Sequence, residues 1–225
     1  MHVITERLFA ARDEKYKCFN AKIVPDTHYE MLGVRVPVIR KIVKESISNG
    51  GYLSFITEKH VYFEEYFAHG LSLSEIKDER EFYKSLNAFL PYIDNWAICD
   101  CVAGAIKKRA KNKKTLFDHV LTWLKSDKVY TVRFGVVCLM DYFIDDEYTG
   151  EILNLITRIK TDEYYINMAI AWLLSVMLVK KYEKTVPLIE GKTLPPFVHN
   201  KTIDKARDSF RIDEKTKIYL KSLKI

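Results

Sequence analysis

Residues 94–109, with the sequence DNWAICDCVAGAIKKR, have the spacing of one amphipathic helix. The buried stripe that this spacing predicts consists of Ile98, Cys101, Val102, Ala105 and Ile106. Trp96, Asp100, Ala103 and Lys107 fall on another side of the same helix. Because residues four apart are separated by about one turn, roughly 5–6 Å, we expect Trp96 and Asp100 to be neighbours off the core.

A carboxylate beside an indole attracts cations, so this pair is a candidate site. Asp100 is flanked by alanine, isoleucine, cysteine and valine, and an unpaired charge is costly in such surroundings. We therefore expect a compensating group near Asp100. The alternative is a packing tryptophan at the rim of the core beside a solvated acid, and the stretch alone leaves both interpretations open.

The composition predicts an all-α protein. Eight glycines and six prolines, with no run rich in either, leave few tight turns and no obvious linker, which argues against an all-β sandwich. The length of 225 residues permits one or two domains, and we expect one domain over residues 1–225. A net charge of +6 favours polyanionic partners, but only weakly.

Cysteine and histidine spacing gives no sign of a metal site or cofactor. Cys18, Cys99, Cys101 and Cys138 form no Cys-x-x-Cys pair, and the six histidines are scattered. We expect reduced thiols, no metal and no cofactor. The N-terminus carries charges where a signal peptide needs an apolar core, so we expect a cytoplasmic protein.

Two positively charged features point towards phosphate. Residues 107–114 contain six basic residues in eight, and Lys107, Lys108, Arg109 and Lys111 are candidates for DNA binding. A solvated basic helix end is the alternative. Arg133 is the one cation in the apolar run 130–140, and a guanidinium there could pair with a buried acid or hold a phosphate equally well.

The remaining pattern is helical along the chain. Residues 3–20 predict a first amphipathic helix, and the next helix places Pro37 in its first turn and ends at Gly50-Gly51. Residues 52–90 predict two or three short helices with Ser74 or Asp78 as possible caps. Residues 199–224 predict two short terminal helices with basic faces.

Residues 164–179 carry no charge but are too few and too polar to span a membrane, so they predict a central covered helix. On this helix Trp172 shares one side with Tyr165, Met168 and Ser175, although Trp172 could also be a core residue. Trp96, Arg133 and Trp172 recur at intervals of 37 and 39 residues, a period typical of stacked helical hairpins. We therefore predict an α-solenoid of about six helix pairs with these residues and Asp100 on one concave surface.

Five segments resemble the AlkD-type DNA alkylation repair glycosylases, which are built from HEAT-like helical repeats. The segments are YEMLGVRVPVIRKIVK, DNWAICD, YTVRFG, NMAIAW and HNKTIDKARDSFRI, in the family's order over nearly the whole chain. The resemblance implies a concave groove that holds duplex DNA and an enzyme that removes cationic N3- or N7-alkylated purines without flipping the base. It implies that Asp100 lies at the lesion with Trp96 and Trp172, and that Arg133 holds a backbone phosphate.

This chain departs from the family at two points. Arg133-Phe134 stands where the family often has two adjacent basic residues, and Tyr29 is only a candidate for the family's N-terminal aromatic residue. Relatives of the same fold bind branched or structured DNA without cutting a glycosidic bond, which is the alternative function. A protein-binding scaffold is a third hypothesis, favoured if the concave surface is not basic. We expect a monomer that binds double-stranded DNA with alkylated bases.

Overall fold

The computed structural model describes residues 1–48 and 50–225, and these residues are almost wholly helical. They form fourteen α-helices and two short 3-10 helices, Leu90–Tyr92 and Ile106–Lys111. The β structure found among them is one isolated bridge between Glu30 and Tyr62. The predicted all-α class is confirmed. The chain forms two compact units, Met1–Lys108 and Arg109–Ile225.

The first unit contains seven helices within the described residues. They are α1 (Val3–Ala10), α2 (Glu14–Ile23), α3 (Val36–Ser48), α4 (Tyr52–Phe55), α5 (Phe63–Leu73), α6 (Glu79–Phe89) and α7 (Trp96–Ala105). Helix α1 packs against α3, α3 against α5, and α5 against α7. Helices α4 and α6 pack beside α5, so alternate helices form one layer of this unit and their partners lie against it.

The prediction of one helix over residues 3–20 is wrong, because the chain turns between α1 and α2. Asp13 adopts an extended conformation and its carboxylate accepts a hydrogen bond from the Tyr16 amide at 3.0 Å, which caps α2. The Asp13 amide donates to the Gly33 carbonyl. A Cβ atom at Gly33 would lie 2.3 Å from the Asp13 carbonyl oxygen, and Gly33 has a φ of 85°, so this approach needs glycine.

Two neighbouring glutamates on α5 hold the first unit together from inside. Glu64 is fully buried and its carboxylate accepts three backbone N–H bonds, from Leu32, Gly33 and Val34. Glu65 accepts from the Thr5 hydroxyl and from the first residues before α5, which completes a capping box. Both charges are therefore compensated, and α5 is tied to the loop that precedes α3.

Other local predictions for the first unit have mixed outcomes. Pro37 lies in the first turn of α3, as predicted. Gly50, just beyond α3, has a φ of 72°. Asp78 caps α6 by accepting a hydrogen bond from the Glu81 amide, whereas Ser74 ends α5 and starts no helix. Asn49 lies outside the described residues.

Helix α7 differs from the prediction for residues 94–109. It ends at Ala105, and residues 106–111 continue as a 3-10 helix. Its buried residues are Ile98, Cys99, Val102 and Ala103, followed by Ile106, so Cys101 and Ala105 are only partly buried and Ala103 is not on an outer side. Ile98, Val102 and Ile106 are buried as predicted, and α5 approaches α7 closely at Val102, since a Cβ on Gly70 of α5 would lie 2.4 Å from the Val102 side chain.

The second unit contains the other seven helices of the described residues. They are α8 (Lys113–Trp123), α9 (Val129–Tyr142), α10 (Thr149–Arg158), α11 (Tyr164–Lys180), α12 (Tyr182–Glu190), α13 (Pro196–Arg207) and α14 (Glu214–Ser222). Helix α11 is central, because it packs against both α9 and α13. Within residues 1–48 and 50–225 no helix has the length and apolar character needed to cross a bilayer.

Alternate packing also describes the second unit, where α9, α11 and α13 form one layer and α8, α12 and α14 pack beside it. A solenoid of helix pairs requires this arrangement within each unit. The number of repeats, the concave groove and the single domain over residues 1–225 stay predictions.

Candidate functional site

The amino-terminal end of α7 is fixed by a network that reaches back to the loop after α2. Asn95 is fully buried and its side-chain oxygen caps α7 by accepting from the Ile98 amide at 3.0 Å. The Asn95 amide group donates to Asp94, whose carboxylate also accepts from the Thr27 hydroxyl and the His28 backbone. The first turn of α7 therefore has a fixed position and direction within its unit.

Trp96 and Asp100 lie on consecutive turns of this anchored helix, and both are partly exposed. The indole Nε1–H of Trp96 donates to the carbonyl of Ile23, the last residue of α2, at 3.2 Å. This bond holds the ring in one orientation while leaving part of it accessible. The structure thus brings together the first two predicted site residues, and neither is buried in the core.

A positive side chain, that of Arg40, lies close to Cys101, the residue after Asp100. Burial raises the pKa of the neighbouring Cys101 thiol, the guanidinium of Arg40 lowers it through its charge and a hydrogen bond, and the charge of Asp100 raises it. Arg40 on α3 and Asp100 are therefore both near the same thiol. An open cavity of about 500 Å³ beside Arg40 is also lined by Lys44 and by Ala105 at the end of α7. The sequence singled out neither Arg40 nor Lys44.

Tyr29, the candidate N-terminal aromatic residue, belongs to a cluster of tyrosines. Its ring stacks on Tyr66 at 3.8 Å between centroids, and its hydroxyl donates to the Tyr92 carbonyl at 2.7 Å. Burial raises the pKa of the Tyr29 phenol, and the charges of Tyr66 and Asp94 raise it further, so the phenol stays neutral. Tyr92 is 55 % exposed and is the accessible member of the cluster. A site role for Tyr29 stays a prediction.

The four basic candidates after α7 occupy the 3-10 helix Ile106–Lys111, which spans the boundary between the units. Lys107 and Lys111 are exposed, and Arg109 is partly exposed. Lys108 forms an exposed ion pair with Glu75 at 2.9 Å, which is worth little and can exchange for a phosphate contact. Binding of DNA by these four residues stays a prediction.

Arg133 is 6 % exposed and lies in the second turn of α9. Its Nη1 donates to the backbone carbonyl of Tyr165, in the first turn of α11, at 2.9 Å. Part of the guanidinium therefore joins two helices of the second unit. The sequence left a structural and a phosphate-binding role open, and this contact gives Arg133 a structural role whether or not it also meets a phosphate.

Trp172 lies on α11 and is partly exposed, so it is not simply a core residue. The Lys205 ammonium of α13 lies over its ring, 5.9 Å from the centroid. Burial lowers the pKa of Lys205, and the charges of Lys201 and Arg133 lower it further. An open cavity of about 320 Å³ is lined by Trp172 and Lys205 together with Arg211. Asp208 also lines this cavity, but the two cations outnumber it and suit an anion beside Trp172.

Sequence reasoning did not identify Lys205 or Arg211, although both lie in a segment with visible basic faces. The spacing of the basic residues in this segment does not reveal that α13 packs against α11. That packing places Lys205 beside Trp172.

Among the described residues no group of three or more His, Cys, Asp and Glu side chains is arranged to hold a metal ion. Trp96 and Asp100 lie in the first unit, and Arg133 and Trp172 in the second.

The sequence model of one protein family, described as DNA alkylation repair enzyme, matches residues 4–192. The match includes α1 to α12 and therefore Trp96, Asp100, Arg133 and Trp172. It ends before α13, so Lys205 and the segment HNKTIDKARDSFRI lie beyond the matched residues. No curated protein matches the chain.

Proposed function

The chain belongs to the DNA alkylation repair enzyme family, and we propose that it is a DNA glycosylase. Its substrate is duplex DNA that carries a positively charged N3- or N7-alkylated purine, and it hydrolyses the N-glycosidic bond of that nucleotide without flipping the base into a pocket. A cationic purine is already a good leaving group. The enzyme therefore has to stabilise the sugar and position water, and a strong general acid is not needed.

Asp100 is the catalytic group in this proposal. When the bond between C1′ and the purine breaks, its electron pair goes to the base and neutralises the base, while positive charge moves to the sugar. The Asp100 carboxylate stabilises this oxocarbenium ion and orients a water molecule towards C1′. Oxygen of the water then bonds to C1′, its proton leaves to the carboxylate or solvent, and an abasic site remains.

Trp96 supplies recognition next to that charge. An indole face attracts a cationic base by roughly 0.5–2 kcal/mol more than a neutral one, which favours damaged over undamaged purines. The bond from Trp96 Nε1 to the Ile23 carbonyl fixes the ring, so the side chain loses little conformational freedom on binding. Trp172 would act in the same way on the lesion.

Phosphate contacts would supply affinity. In the first unit Arg40 lies near the thiol of Cys101, the residue after Asp100, and Lys44 lines the same cavity as Arg40. In the second unit Lys205 and Arg133 form a local positive cluster. We expect both units to contact the same duplex, with Lys107, Lys108, Arg109 and Lys111 adding charge.

The observation that carries the proposal is the pair on α7: a partly exposed carboxylate one turn from a partly exposed, hydrogen-bonded indole. The test is incubation of the protein with duplex DNA that contains one N7-methylguanine, followed by alkaline cleavage and quantification of abasic sites. We expect abasic sites only at the lesion, and none in the matched undamaged duplex. A wild-type protein that binds this duplex but releases no base would refute the glycosylase.

A second candidate function has one observation in its favour. Lys205 lies over the Trp172 ring, where a cationic base would have to compete with it. An anion would instead gain from Lys205, so this side of the second unit also fits a non-catalytic binder of branched or structured DNA. Tighter binding to a four-way junction than to the N7-methylguanine duplex, without base release, would select this function.

A further inference from the structure

The first unit contains an open cavity that includes neither Trp96 nor Asp100. Its volume is about 570 Å³, within the range of roughly 300–1,000 Å³ typical of small-molecule sites. Residues before α5, α5 itself and α6 form its walls. Six mainly apolar or aromatic side chains line it: Leu53, Ile56, Tyr66, Ile76, Phe89 and Tyr92.

Two histidines lie among the polar residues of this cavity, which also include Thr57, Glu58, Lys59, Glu81 and Ser85. His60 Nε2 and His69 Nδ1 are 2.8 Å apart and share one hydrogen bond, with the two rings nearly perpendicular. His69 lies against Phe89 and His60 against Phe55, each at 4.5 Å between ring centroids. Burial lowers the pKa of His60, and burial together with His60 lowers the pKa of His69 to about 3. Both rings are therefore neutral at pH 7.

A neutral imidazole has one N–H donor and one nitrogen acceptor. If His60 donates within the pair, the second nitrogen of His60 is an acceptor and that of His69 is a donor. If His69 donates, these two roles are exchanged. In either tautomer the pair offers one donor and one acceptor to a third molecule, so it matches a ligand that carries both groups.

We propose that this cavity binds a neutral purine base. A purine is flat, which suits walls made by Tyr66, Phe89 and Tyr92, and its edge combines a ring-nitrogen acceptor with an N–H donor. Glu58, Lys59 and Glu81 also line the cavity, so the preference for a neutral base rests on the donor and acceptor of the imidazole pair. A metal ion fits less well, since the facing nitrogens of the pair already bond to each other and the described residues provide no third ligand.

The proposed reaction releases such a molecule, because the alkylated base loses its positive charge when it leaves the sugar. In that case the cavity would hold the excised base, a link that rests on the proposed function. Binding of the free base does not require Asp100 or DNA. The two proposals can therefore fail separately.

The experiment is calorimetric titration of the full chain at pH 7.5 with 3-methyladenine, which is neutral. We expect saturable binding of this base. Three variants locate the site. Ala88→Trp fills the cavity, Arg80→Trp adds the same bulk to α6 on a residue that does not line it, and His69→Phe keeps a ring but removes the nitrogens.

We expect Ala88→Trp and His69→Phe each to weaken 3-methyladenine binding by about tenfold or more, and Arg80→Trp to leave it unchanged. Circular dichroism checks that each variant is folded, and Ala88→Trp decides the question if His69→Phe is not. No saturable binding of 3-methyladenine, or full affinity in folded Ala88→Trp, would overturn the proposal. Base binding by a protein that excises nothing would leave it standing and refute only the glycosylase.

Discussion

Replacing Glu64 with glutamine is expected to destabilise the first unit strongly. The carboxylate is fully buried, with one oxygen 2.8 Å and 3.0 Å from the Gly33 and Val34 amides and the other 2.8 Å from the Leu32 amide. Glutamine keeps one oxygen, which can serve two of the three amides. Its NH₂ group then faces the third N–H, so two donors oppose each other.

The loss can be estimated from these contacts. A hydrogen bond to a charged group contributes about 1.5–3 kcal/mol, and a buried unpaired donor costs about 1–3 kcal/mol. One bond is lost and the remaining two lose their charge, so we expect Glu64→Gln to lower the free energy of unfolding by about 3 kcal/mol or more. This is a large fraction of the total, since domains are stable by only about 5–15 kcal/mol.

Urea unfolding followed by circular dichroism measures this loss. Glu6→Gln is the control, because Glu6 is an exposed residue in the first turn of α1 and its loss should cost no more than about 0.5–1 kcal/mol. If Glu64→Gln lowers the free energy of unfolding no more than the control does, the charge of Glu64 does not hold the three amides. In that case Glu64 does not fix the loop before α3 to α5.

Three further predictions concern charge. Arg133→Ala should lower stability by about 1–3 kcal/mol, since it leaves the Tyr165 carbonyl without this donor, and should flatten the plot of log affinity against log salt for duplex DNA by about one unit. Lys205→Met should weaken duplex binding yet raise the melting temperature at pH 7, because the lowered pKa of Lys205 means that its protonated form is disfavoured in the folded state. Wild-type stability should fall as the pH drops below about 6.5, because unfolded His69 takes up a proton there while its native pKa is about 3, and His69→Phe should reduce this dependence.

Each of these has a contradicting result. Full DNA affinity and an unchanged salt slope in Arg133→Ala would leave that residue only its structural role. A lower melting temperature in Lys205→Met would mean that its packing on Trp172 outweighs the cost of its charge. Equal loss of melting temperature between pH 7 and pH 5 in wild type and His69→Phe would show that His69 is not kept neutral by the fold.

Helical class and several element ends could be predicted from local sequence, because the causes are local. Proline in the first turn of α3 and the Asp78 cap of α6 depend on neighbouring residues alone. The break between α1 and α2 was missed, since continuous apolar spacing through Phe9 and Phe19 hides the Asp13 cap. That cap is reinforced by Gly33, which is distant in sequence.

The buried side of α7 was predicted only in part: Ile98, Val102 and Ile106 are buried as expected, but Cys99 and Ala103 are buried in place of Cys101 and Ala105. The helix is apolar nearly all round, so its periodicity does not fix the edges of the side that faces the core. Trp96 and Asp100 could still be identified, because a polar residue and an aromatic stand out in such a helix. Arg40 and Lys205 could not be identified from the sequence. Each comes close to a predicted site residue only because helices that are distant along the chain pack together.

The most direct test of the central claim is the single-turnover rate of N7-methylguanine release by Asp100→Asn. Asparagine keeps the shape of the side chain and removes the charge that would stabilise the oxocarbenium ion, and removing such a group typically costs about 100-fold or more. Asp118→Asn, an exposed acid on α8, is the matched control. We predict a rate at least about 100-fold lower for Asp100→Asn, with wild-type DNA affinity and folding, and a wild-type rate for Asp118→Asn. Equal rates for the two variants would contradict the assignment of Asp100 as the catalytic group.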